Sequence, residues 1–80
     1  MPEIARFDGI IITMNFGEHS PPHFHVRYGD YSASVAISPL ALDEGALPAS
    51  TWRKVRDWAS ARETELLQRW LEFGGAPSRE

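Results

Sequence analysis

The chain has 80 residues, 42% of them hydrophobic, with three Trp and four Phe, which suffices for one small core and excludes both a disordered and a multidomain reading. The lack of cysteine removes disulfides, thiolate metal sites and a Cys nucleophile, and a net charge of −3 argues against a broad nucleic-acid footprint. No apolar run approaches the roughly 20 residues of a membrane span, and the opening Met1-Pro2-Glu3-Ile4 has neither a basic nor an apolar leader segment, so the expected setting is the cytoplasm.

Asp8-Gly9 between two apolar runs, residues 4–7 and 10–16, predicts a tight β-hairpin. Strand alternation places Ile10, Ile12, Met14 and Phe16 on the core face, and Ile11, Thr13 and Asn15 on the other. A second hairpin turns at Gly29-Asp30. With a two-residue loop, Tyr28 pairs with Tyr31, Val26 with Ala33 and Phe24 with Val35 on one apolar face. His23, His25 and Arg27 then share the opposite face with Ser32, Ser34 and Ala36. Both strands agree on one apolar and one polar face, and a slip of one residue would scramble both.

Ser38-Pro39-Leu40 is expected to break the last strand, and Asp43-Glu44-Gly45 to turn the chain toward a helical part. Beyond Pro48, a first-turn residue, the apolar spacing changes to about three and a half, so that Trp52, Val55, Ala59, Leu66, Trp70 and Phe73 form a helical stripe. Trp52, Trp58 and Trp70 read as core or core-edge residues. Arg62 and Glu63 interrupt the stripe, and Ser60 with Glu63 has the form of a capping box, so either one helix or two broken near residue 60 fit. Gly74-Gly75 supplies the stop. The expected architecture is α+β: a four-stranded, mainly antiparallel sheet of two hairpins with the helical segment across one face. Residues 1–75 form a single domain and residues 76–80 a flexible tail.

All three histidines fall in His19-Ser20-Pro21-Pro22-His23-Phe24-His25. Imidazole titrates near physiological pH and is the commonest metal ligand, so the cluster suits metal binding or proton transfer. His23 and His25, at strand spacing, project to one side, and His19 can reach them across the prolines to hold a divalent metal cofactor such as Zn²⁺. His23, His25 and Arg27 are also the candidates for general base, general acid and phosphate clamp, with Ser32 and Ser34 beside them. In the plainest reading these are polar residues of an open sheet face that meets a protein partner or a second copy. Arg53, Lys54 and Arg56, the only basic cluster, form a solvated helix face or a second contact for an acidic partner or RNA.

Arg6-Phe7-Asp8-Gly9, the segment from His19 through His25-Val26-Arg27-Tyr28-Gly29, then Leu47-Pro48 and a helix ending Glu65-Leu66-Leu67-Gln68-Arg69-Trp70 together resemble the bacterial "domain of unknown function 4160" family over roughly residues 2–73. His19, His23 and His25 fit the pattern, whereas Ala61-Arg62-Glu63 departs from its polar helix start. The resemblance implies a small prokaryotic protein with no established activity, encoded beside another small protein in an arrangement similar to toxin–antitoxin pairs. It supplies no catalytic assignments. The preferred expectation is therefore a non-enzymatic interaction module working through the open sheet face, and the alternative a histidine-centred metal-binding hydrolase or small nuclease.

Overall fold

The computed structural model describes residues 3–19 and 21–75. Five antiparallel strands run as an up-and-down meander: β1 (Glu3–Phe7), β2 (Ile10–Thr13), β3 (His23–Tyr28), β4 (Tyr31–Ile37) and β5 (Leu40–Gly45), each beside its sequence neighbour. Two helices, α1 (Ala49–Ser60) and α2 (Glu63–Glu72), follow. The tail expected from Ala76 lies outside the described residues.

Asp8 and Gly9 both take positive φ, 51° and 76°, the geometry of a two-residue turn whose twist matches its strands. The β3–β4 pairing is the one expected from the sequence: Tyr28 with Tyr31, Val26 with Ala33, Phe24 with Val35, His25 with Ser34, Arg27 with Ser32 and His23 with Ala36. Gly29 at its turn has φ 58°.

The sheet has five strands, not four. Ser38-Pro39, joined by a cis peptide bond, turns the chain back so that Leu40 pairs with Ile37 and Ala41 with Ala36. A bulge then shifts the pairing, with Leu42 opposite Val35 and Glu44 opposite Ser34. Asp43-Glu44-Gly45 therefore belongs to β5 rather than to a turn. An edge strand tolerates charges that read as a loop, because one of its sides stays in water. Gly45 is required there: its φ is +83°, and a Cβ would lie 2.2 Å from the Ser32 carbonyl oxygen.

The core lies between one sheet face and the helices. Ile10, Ile12, Met14, Phe24, Val26, Val35 and Ile37 from the sheet side meet Val55, Ala59, Leu66 and Trp70 from the helices, all buried. Trp70 is the largest of them, while Trp52 and Trp58 are partly buried at the margin, Trp58 against Phe7 and Phe24. Phe16 departs from expectation, being 69% exposed. β2 ends at Thr13, so the two-residue alternation no longer governs Phe16, and its ring instead meets Phe73 edge-on.

The helical part is broken after Ser60. Arg62, at φ −131°, leaves the helical conformation, and its guanidinium donates to the Trp58 carbonyl at 2.9 Å. The capping box does not form, since the Ser60 hydroxyl donates to the Asp57 carbonyl instead. Pro48 sits one position earlier than expected, as the N-cap, and its carbonyl accepts the Trp52 N–H. At the other end Gly74, φ +77°, donates to the Leu71 carbonyl and Gly75 to that of Trp70, a Schellman stop. No described helix is long and apolar enough to cross a membrane.

Candidate metal centre

The uncovered sheet face is a wide, shallow trough of about 900 Å³. The strand registers align a row across it: Glu3, Thr13, His25, Ser34 and Glu44, one residue from each strand. A second row holds Arg6, Ile11, Arg27 and Ser32. His25, Arg27, Ser32 and Ser34 thus line one surface, as their alternation along β3 and β4 requires.

At one end of this face the β2–β3 connection folds back over β3. Met14 anchors its start in the core, Gly17 turns at φ +65°, and the Gly17 N–H donates to the Phe73 carbonyl at 2.9 Å. This fastening to the end of the helical layer brings Glu18 over the histidines. Its Oε1 lies 2.9 Å from His25 Nε2 and 3.2 Å from His23 Nε2. Both rings therefore aim the same nitrogen at one carboxylate oxygen.

His23 is oriented from behind. Its Nδ1 lies 2.9 Å from the Pro21 carbonyl oxygen, which can only accept, so Nδ1 carries a proton. In the neutral ring Nε2 is then a lone pair directed at the carboxylate. Two acceptors in contact require a proton on that nitrogen or a cation between them. The next residue fixes the segment too: the buried Pro22 accepts the Ile37 N–H through its carbonyl at 3.1 Å. The ring of His23 also lies 5.1 Å from that of the buried Trp70.

Asn15 completes the group, its Nδ2 being 3.4 Å from His25 Nε2. Burial acts to raise the Glu18 carboxyl, but the hydrogen bond with His25, the charges of His23 and His25 and a hydrogen bond with Asn15 together outweigh it. The net effect holds the group below its ordinary value.

One ligand atom each from Glu18, His23 and His25 lies within 4.8 Å of the others. Ligands at about 2.0–2.2 Å from one ion, at tetrahedral or octahedral angles, stand roughly 3–3.5 Å apart, and both Glu18–imidazole distances are close to that. Two imidazoles and a carboxylate suit Zn²⁺ and other divalent first-row metals, and three protein ligands leave coordination positions open.

The histidines expected to act together are only partly assembled. His23 and His25 converge, whereas His19 is exposed and lies outside the group, its expected place being taken by Glu18. Glu18 and Asn15 were not legible as ligand and neighbour, because a loop has no periodicity from which to read direction. The available signal was Gly17, a turn-former immediately before an acid and a histidine. Arg53, Lys54 and Arg56 are exposed on α1 and do not line the trough; Lys54 is 3.6 Å from Asp8, and Arg56 is 3.8 Å from Asp57.

Fold and site define a small α+β domain: an open antiparallel sheet, helices on one face, and a two-histidine, one-carboxylate group at the end of the other. A family model described as "Domain of unknown function (DUF4160)" matches residues 9–71, and the chain belongs to that family. The match includes Glu18, His23 and His25. No curated protein and no solved structure matches the chain.

Proposed function

We propose that this protein is a divalent-metal-binding domain whose ion sits on Glu18, His23 and His25, with its free coordination positions toward the trough. One observation carries this reading: two imidazole Nε2 atoms meet a single carboxylate oxygen, and one of the rings has its proton committed to the far side by a backbone carbonyl. Such a carbonyl behind a ligating imidazole is the usual means of fixing its tautomer. Of the functions the sequence admits, the histidine-centred, metal-assisted one is favoured, since an open site makes a bound water more acidic and polarises a bound oxygen.

The test is calorimetric titration of chelator-treated protein with Zn²⁺, Mn²⁺, Ni²⁺ and Fe²⁺. Binding of one equivalent with a Kd near micromolar or below, about −8 kcal/mol, that survives His19→Ala and disappears in Glu18→Ala and in the double variant His23→Ala/His25→Ala supports the reading. Equal binding by all four proteins, or none by the parent, refutes it.

A second reading, the interaction module, draws on a different observation. Phe16 is 69% exposed in the same connection that carries Glu18, and Leu71 on α2 is 57% exposed. Apolar side chains left in water suit a protein contact. In that reading Phe16→Ser abolishes the complex with a co-purifying partner while Glu18→Ala leaves it intact. A toxin–antitoxin-like pairing is one form such a contact takes; its support is the gene arrangement implied by the family resemblance.

A further inference from the structure

We propose, resting on the metal reading, that the trough takes an anionic phosphoryl group bridging the ion on Glu18, His23 and His25 and the guanidinium of Arg27. Two arginines line the trough, and they differ in what they already hold. Arg6 is engaged: its Nε and Nη2 donate to the two carboxylate oxygens of Glu3 at 3.0 and 2.7 Å. Arg27 is exposed and has no hydrogen-bond or ion-pair partner among the described residues. It is the trough's uncommitted cation.

Arg27 is two residues from His25 on β3, on the same face, which sets their Cα atoms roughly 6.6 Å apart. Its neighbour across the ladder is Ser32, and that of His25 is Ser34, both lining the trough. A tetrahedral oxyanion has oxygens to spare for such an arrangement: one for the ion and two for the guanidinium fork, with hydroxyl donors alongside. A carboxylate has only two, and gives up the bidentate fork if one goes to the ion. The acids of the trough do not cancel this field. Glu3 is neutralised by Arg6, Asp30 lies in the β3–β4 turn, and Glu44 stands two strands from His25, roughly 9.6 Å away. The ion itself outweighs the single charge of Glu18.

The experiment is titration of the Zn²⁺-loaded protein with phenylphosphonate, a phosphoryl probe that is not hydrolysed, and with benzoate. The expected result is one-to-one phenylphosphonate binding that is absent without zinc, tighter than that of benzoate, and weakened about tenfold or more by Arg27→Ala. Arg27→Lys retains part of it. Zinc affinity, measured first on the same variants, stays unchanged because Arg27 is outside the ligand set. A zinc-loaded protein that ignores phenylphosphonate, or binds it equally well in Arg27→Ala, overturns this proposal and leaves the metal reading standing. A protein that takes up no zinc overturns both, and the first titration shows it.

Discussion

The Nδ1–H of His23 donates to the Pro21 carbonyl at 2.9 Å, and this contact determines what the far side of the ring presents to Glu18. The proline pair matters for the same reason. Pro21 supplies the acceptor, and Pro22, through its carbonyl, fastens the segment to the end of β4. The His-Phe-His strand thus enters the sheet with one imidazole already oriented, so little ordering remains when an ion binds.

Removing Glu18 should separate metal binding from folding. Glu18→Gln keeps the size of the side chain and loses the anionic ligand, and metal affinity should fall about 100-fold or more, beyond what loss of an outer hydrogen-bond partner usually costs. The unfolding midpoint of the metal-free protein should fall only modestly at neutral pH, because the Glu18 ion pairs with His23 and His25 are partly exposed and screened. Calorimetry and urea unfolding on the same samples check the two halves.

The acid limb of stability carries the same group. The Glu18 carboxyl is held below its ordinary value in the folded chain. Its contribution is therefore complete above the ordinary carboxylate range and is lost as pH falls through the lowered folded value. In metal-free protein, Glu18→Gln should therefore be less stable than the parent near pH 7 and converge with it at the acid end, which flattens the stability profile over that acidic window. Urea midpoints taken across the window test this, and an unchanged acid limb contradicts it.

Metal affinity should itself depend on pH. Ligation needs the unprotonated Nε2 of both rings, so protons compete with the ion for those atoms, affinity should weaken on acidification, and any proton held there is released on binding. Titrations in two buffers of different ionisation enthalpy measure the release directly.

Trp70 links the core to the site. It is 1% exposed, its ring is beside that of His23, and a Cβ on Gly75 would lie 2.3 Å from it. Trp70→Ala should cost about 3–5 kcal/mol of stability. The milder Trp70→Phe should retain the fold while loosening His23, which would read out as weaker metal binding. Denaturant unfolding and zinc titration of both variants separate the two effects.

Much of the fold was legible because its faces are periodic. Asp8-Gly9 and Gly29-Asp30 marked two hairpins, and the alternation from Phe24 to Val35 set the register of the second. β5 was hidden by its own composition: Pro39 in the turn, acids along the edge and a Gly at the bulge end all look like loop. The same limit applied to the site. His23 and His25 lie on a strand, where direction follows from spacing, while Glu18 and Phe16 lie on a connection whose path is set by Gly17 binding the end of α2. A contact of that range leaves no local pattern.

Anomalous diffraction at the zinc edge from crystals of zinc-loaded protein locates the ion itself. One peak is expected within about 2.2 Å of His23 Nε2, His25 Nε2 and a Glu18 carboxylate oxygen, with His23 Nδ1 still bonded to the Pro21 carbonyl. A peak on His19, one reached through His23 Nδ1, or none among these three residues would contradict this placement.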